Sequence, residues 1–205
     1  MYDIDLGRYS FSKNCDNPSW LMDERHVRII HNIIMENDFK TVAEIGCYTG
    51  YSTIAIVEAI NKGKDFTAHL IDWNITKQLS TLLSMCAHPS KIKFHQEISQ
   101  QILPSLKKID LIIIDGDHTI NGAGYDLFFA LENEIPNIVA HDTNAQPNCR
   151  GSELIGMVYK NHKDFMCLED KLFRENENTE RGLLFATSSI NSYERAKKIY
   201  CELSR

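Results

Sequence analysis

The chain has 205 residues, 43% of them hydrophobic and 24% charged, with a formal net charge of −6 at pH 7. This is enough sequence for one domain with a continuous core, and the usage excludes a disordered, collagen-like or coiled-coil protein. The acidic balance offers no general attraction to a nucleic-acid backbone or an anionic membrane, so neither is expected as a partner.

Cysteines stand at positions 15, 47, 86, 149, 167 and 201, without a C-x-x-C pair. Reduced thiols in a reducing compartment are expected, and no tetrahedral zinc site is completed. The start, Met1-Tyr2-Asp3-Ile4-Asp5, is acidic where a secretory leader is basic. Apolar runs such as Leu111-Ile112-Ile113-Ile114 are too short to span a bilayer. The expected location is cytoplasmic.

Residues 1–22 read as an irregular N-terminal lid, and 23–205 as the main domain. Removing residues 1–19 is expected to impair substrate use more than folding. Val27, Ile30, Ile33 and Ile34 predict a helix over 23–36. The β-branched run 41–45, closed by Gly46, predicts a buried strand. Helices are then predicted over 51–60, 76–87, 100–106, 124–131 and 151–161. Strands are predicted over 66–71, 92–95, 110–114 and 137–140. Strands over 165–168 and 182–186 flank an acidic segment, 175–180, read as a solvated loop, and a last helix covers 193–203. Phe128 and Phe129 read as core. Asn121, Gly122 and Gly124 read as a mobile stretch. Alternating strands and helices, with strands apolar on both faces, predict a doubly wound, mostly parallel sheet. Its ligands should bind beyond the carboxyl ends of the strands.

The first strand runs into Glu44-Ile45-Gly46-Cys47-Tyr48-Thr49-Gly50. The two glycines permit a tight turn, and the helix that follows aims free N–H groups at a ligand. Tyr48 and Tyr51 stand where a dinucleotide fingerprint has its second and third glycines. That and the acidic Glu44 count against a pyrophosphate and favour a ligand carrying an ammonium group. Asp72, after the second strand, is placed to accept ribose hydroxyls, with Trp73 beside it as a flat face for adenine. Glu97 and Ile98 follow the third strand, where the edge of a base would lie. Taken singly, the glycine pair also suits a structural turn, and Asp72 a helix cap.

Together these features resemble the class I S-adenosylmethionine-dependent methyltransferase family, from about Asp23 to Ala186. The resemblance implies a seven-stranded Rossmann-like sheet whose end is antiparallel. It implies a cofactor site at Glu44, Gly46, Cys47, Tyr48, Gly50, Asp72, Trp73, Glu97, Ile98 and Asp115. Tyr48 is bulkier than the residue common there and is expected to crowd the methionine tail.

The fourth strand ends in Ile114-Asp115-Gly116-Asp117-His118 and the fifth in Ala140-His141-Asp142-Thr143. These strings resemble the branch containing small-molecule O-methyltransferases that act on sugars and macrolide glycosides. That resemblance implies a divalent cation, magnesium or manganese, at Asp115, His141 and Asp142, with Asp115 and His118 catalytic and His118 as general base. Asp117 reads as a helix cap. The other histidines, His26 among them, read as surface or packing residues.

With no inserted substrate domain, the pocket for a hydroxylated small-molecule acceptor must come from residues 1–22, 119–124 and 143–150. Small members of the family often complete that pocket from a neighbouring subunit, so a homo-oligomer is implied. The rival readings are a non-catalytic S-adenosylmethionine-binding protein and an NAD-dependent oxidoreductase.

Overall fold

The computed structural model describes residues 1–144, 149–175 and 178–203. Its strands are β1 (Thr41–Ile45), β2 (Thr67–Asp72), β3 (Ile92–Gln96), β4 (Leu111–Ile114), β5 (Asn137–His141), β6 (Met166–Arg174) and β7 (Thr179–Thr187). Its helices are α1 (Glu24–Glu36), α2 (Ile54–Asn61), α3 (Lys77–Ser84), α4 (Ser99–Ile102), α5 (Ile120–Glu132), α6 (Arg150–Asn161) and α7 (Ile190–Leu203). The strands form one sheet in the order β3-β2-β1-β4-β5-β7-β6. β1 to β5 are parallel, and β7 runs antiparallel to both β5 and β6. This is the doubly wound, mostly parallel sheet the sequence predicts.

Successive strand residues face opposite sides, so the central strands feed two cores. Val42, Leu70, Ile113, Val139 and Phe185 pack with residues of α1, α2 and α7. Ala43, Ile71, Ile112, Ala140 and Leu184 pack with residues of α5 and α6. Strand order reverses where β1 lies between β2 and β4, which opens a crevice above their carboxyl ends.

Several elements depart from expectation. The N-terminal segment is not merely irregular: 3-10 turns form over Leu6–Lys13 and Pro18–Trp20. Ile4, Leu6 and Tyr9 are buried in the core against α1 and α2, and the Tyr9 hydroxyl donates to Glu58 of α2. Deleting residues 1–13 is therefore expected to cost several kcal/mol, at roughly 1.5–3 kcal/mol per buried large side chain, a large share of a domain's stability. Denaturant titration of the truncated chain checks this, and an unchanged midpoint would show that the segment is dispensable to the fold.

The stretch 119–124 is not a mobile loop but the first turn of α5. Thr119 is its N-cap, accepting from the Gly122 N–H. Asp117 is not the cap; it accepts from the backbone and hydroxyl of Thr119 and so orients the residue that is. Phe129 is buried, but Phe128 is 60% exposed, because adjacent helical positions point about 100° apart. The helix predicted over 100–106 breaks at Pro104 into α4 and a 3-10 turn over Leu103–Ser105. β6 and β7 are longer than predicted and pair from Met166 with Thr187 to Arg174 with Thr179. Thr179 and Glu180 of the acidic segment are thus strand, while residues 176 and 177 lie outside the described residues. Among the described residues no helix is long and apolar enough to cross a membrane.

Candidate active site

A cleft of about 850 Å³ lies over the carboxyl ends of the central strands, within the size range of small-molecule sites. Its floor is the loop after β1. Gly46 and Gly50 have φ of +82° and +85°, a region costly for other residues. A side chain at Gly46 would collide with the backbone carbonyl of Asp115, and one at Gly50 would press on Leu82 of α3. The glycines let the loop lie flat across the end of β4.

Asp72 secures this loop. Its Oδ2 accepts from the Cys47 and Tyr48 N–H groups, both at 2.8 Å, and its Oδ1 from the Asn74 N–H at 2.9 Å. It does not cap α3; Thr76 does. Among the described residues, Oδ1 accepts only from Asn74, and Asp72 lines the cleft. Trp73 beside it is 76% exposed, an unusual cost for so large an apolar surface. Glu97 and Ile98 line the same end of the cleft, and the Glu97 carboxylate accepts from the Ile98 N–H at 3.0 Å.

Glu44 is placed differently from the sequence expectation. It is fully buried beneath the loop and is not part of the cleft lining. Its Oε2 accepts from the Thr53 hydroxyl at 2.7 Å and lies 3.7 Å from the Cys47 thiol. Burial pushes its carboxyl up to about 7, from an ordinary value of 4.5. Between those values the folded protein keeps a proton that the unfolded chain releases. The stability this group contributes is complete below about pH 4.5 and is lost as pH rises to about 7. Glu44→Gln should therefore gain on the parent by about 3 kcal/mol across that window. Unfolding midpoints at several pH values check this; a constant difference would contradict it.

Tyr48, with φ of 47°, turns its ring toward the N-terminal segment. Its ring centroid lies 5.7 Å from that of Trp20, and its hydroxyl accepts from the Asn17 N–H at 3.4 Å. Tyr48 also lines the cleft. Trp20, Leu21 and Met22 line the cleft, so the end of the 1–22 segment contributes to it. The 143–150 stretch is described only in part, since residues 145–148 lie outside the described residues.

Asp115, His118 and Asp142 also line the cleft, and the buried His141 lies behind them. Asp142, at φ of 55°, turns the chain sharply as β5 ends. His141 Nδ1 lies 3.1 Å from Asp115 Oδ1 and 3.6 Å from Asp142 Oδ1. Burial opposes protonation of His141, but the two carboxylates outweigh it and raise its pKa to about 10. Asp142 is held well below the carboxylate range in spite of burial, by His141, Arg181 and His118. His118 Nδ1 is 2.9 Å from the Ser152 hydroxyl of α6 and 3.7 Å from Asp142 Oδ2, and its Nε2 is 3.8 Å from Asp115 Oδ1.

Three residues here escape a reading of spacing. Arg181 of β7 lines the cleft with NH1 3.6 Å from Asp142 Oδ1 and also donates to the Ser19 carbonyl. Only the hairpin pairing brings it there. Cys149 joins His118 and Asp142 in a second cluster of metal-binding atom types. His26 of α1 touches His141 through the protein interior.

The donor set Asp115, His141 and Asp142 fits a divalent cation. One ligand atom from each lies within 4.8 Å of the others, and Asp142 Oδ1 has no hydrogen-bond partner among the described residues. A nitrogen beside two carboxylates suits manganese, iron or zinc better than magnesium.

Residues 43–143 match the family model described as a methyltransferase domain. By this match the centre of the chain is similar to a methyltransferase domain. Solved structures share its fold across nearly the whole chain. The O-methyltransferase TomG from Streptomyces achromogenes, involved in tomaymycin synthesis and in complex with S-adenosylmethionine, is 15% identical, with a TM-score of 0.71 over 91% of this chain and 90% of that one. An O-methyltransferase from Bacillus cereus in complex with S-adenosylhomocysteine is 13% identical, with a TM-score of 0.70 over 91% and 92%. The S-adenosylhomocysteine-bound methyltransferase PaMTH1 from Podospora anserina is also 13% identical, at 0.67 over 91% and 88%. No curated protein sequence matches the chain. The matched residues contain the loop after β1, Asp72, Glu97, Asp115 and Asp142. Arg181, Cys149 and the Trp20–Met22 wall lie outside the matched residues.

Proposed function

We propose that the protein transfers the methyl group of S-adenosylmethionine to a hydroxyl of a small molecule, with a sugar or glycosylated metabolite as the favoured acceptor and a cytoplasmic location. The observation that carries this reading is the division of one cleft into two chemical ends. One end holds the glycine loop, Asp72 and Trp73, which suit a nucleoside. The other gathers two carboxylates and two imidazoles, which suit the activation of a hydroxyl. Bound across this cleft, the cofactor would set its ribose on Asp72 and its adenine against Trp73, Glu97 and Ile98.

Methyl transfer is an in-line displacement. The acceptor oxygen bonds to the methyl carbon as the carbon–sulfur bond breaks, and the electron pair passes to sulfur and cancels its positive charge. The acceptor proton must leave as this happens. With Nδ1–H of His118 donated to the Ser152 hydroxyl, Nε2 is the nitrogen that takes it. Alignment of oxygen, carbon and sulfur supplies much of the rate. The wall formed by Trp20 and Met22 would hold the acceptor in line and keep water out. A divalent ion held by Asp115, His141 and Asp142 would lower the acceptor hydroxyl's pKa.

The test is methyl transfer from labelled S-adenosylmethionine to a panel of sugars, glycosides and phenols, with chelator and with added manganese or magnesium. The reading predicts turnover of at least one hydroxylated acceptor, lost on chelation and restored by metal. Turnover indifferent to chelation would reject the metal, and turnover confined to amines would reject the hydroxyl as acceptor.

A further inference from the structure

We propose that His26 and Asp170 are positioning residues that fix His141, so that its Nδ1 faces the acidic pair Asp115 and Asp142. The role they would serve rests on the reading of that centre given above. Their arrangement stands on its own geometry.

The contacts form one buried line from α1 and β6 to the cleft. Arg25 donates to Asp170 Oδ1, and Asp170 Oδ2 lies 3.3 Å from His26 Nε2. His26 Nδ1 lies 3.1 Å from His141 Nε2, and His141 Nδ1 lies 3.1 Å from Asp115 Oδ1. Neither imidazole has measurable exposure beyond 1%, and Asp170 has 3%. Asp23 Oδ2 is 3.9 Å from His26 Nδ1, beyond hydrogen-bond reach. Solvent does not reach these rings, so the protonation of each nitrogen is set by the protein groups beside it.

Charge and hydrogen-bond direction then fix the ring states. The 3.3 Å approach of Asp170 Oδ2 to His26 Nε2 is an ion-pair contact without hydrogen-bond geometry, and its negative charge favours N–H at Nε2 over a bare nitrogen. One proton lies between the two rings, because two N–H groups cannot face each other at 3.1 Å. Asp115 and Asp142 face His141, while the two carboxylates near His26, Asp170 and Asp23, are already paired with Arg25 and Arg174. The shared proton therefore sits on His141 Nε2 and is donated to His26 Nδ1. His141 is left with Nδ1 turned to two acceptors, a position that only a proton or a metal cation can fill. An imidazole that gives its far N–H to an outer partner is the arrangement that orients ligating histidines and raises their basicity. Here the outer partner is a second histidine, itself held by a carboxylate. A role in packing alone would be met by any ring of this size at position 26.

Two measurements on the full chain test this. In the metal-free protein labelled with 15N-histidine, two-bond nitrogen–proton spectra report which ring nitrogens carry protons. The proposal predicts His26 protonated at Nε2 and bare at Nδ1, with His141 protonated at Nε2; a proton on His26 Nδ1 would overturn it. Separately, Co²⁺ titration compares the parent with His26→Phe, which keeps an aromatic ring and removes the acceptor. Affinity should fall about 10- to 100-fold, and equal affinity in a folded variant would overturn the positioning role. If the parent binds no Co²⁺, the metal reading falls, and the proton pattern still decides the arrangement. The same pattern decides it if His26→Phe does not fold.

Discussion

Asp72→Ala is expected to weaken S-adenosylhomocysteine binding about a hundredfold. Two losses combine at this position. The Cys47 and Tyr48 N–H groups lose the carboxylate that accepts both of them, so the loop loses its anchor. The proposed ribose contact on Oδ1 is lost as well. Hydrogen bonds to a charged acceptor are worth about 1.5–3 kcal/mol, and about 1.4 kcal/mol is tenfold in affinity. Asp72→Asn separates the two contributions, because an amide oxygen can still hold the loop. It should cost roughly tenfold, between parent and alanine variant. Calorimetry on all three proteins checks the order. Parent-like affinity in Asp72→Ala would show that neither the loop anchor nor a ribose contact at this acid contributes to binding.

Asp142→Asn should act on turnover and leave cofactor affinity unchanged, since Asp142 makes none of the contacts by which Asp72 holds the loop after β1. The substitution keeps the shape and removes the charge that His141, His118 and Arg181 all face. If those carboxylates and the base activate the acceptor, the rate should fall about 10²- to 10⁴-fold, the usual worth of positioned proton-transfer groups. Buried cations left without their partner also cost stability, about 3–5 kcal/mol for a fully buried pair. Turnover is therefore compared below the variant's unfolding midpoint. Parent-like turnover in Asp142→Asn would remove this group from the chemistry.

The fold was legible because each strand is a short apolar run and each crossover a periodic helix, so local pattern and sheet topology agree. The lining of the cleft was legible for a related reason. Its residues sit directly after strands, where topology alone directs a ligand. Glu44 shows the limit of that rule: it lies within β1 rather than after it, and the pleat turns it beneath the loop. Arg181 was not legible, because its position depends on how far the β6–β7 hairpin extends, and pairing carried strand through residues whose polarity suggests a loop. His26 was hidden for the opposite reason. On an apolar helix face a histidine reads as packing, and only the approach of α1 to the end of β5 reveals its partner. Tyr9 and its neighbours were likewise misjudged, since 3-10 turns have no long periodicity to detect.

The central claim is that the cleft over β1, β2 and β4 is an S-adenosylmethionine site. The most direct test is calorimetric titration of the metal-stripped protein with S-adenosylhomocysteine, with NAD as the control ligand. Saturable binding of S-adenosylhomocysteine and none of NAD is the predicted result. Binding of NAD, or no binding of S-adenosylhomocysteine with or without added metal, would contradict it.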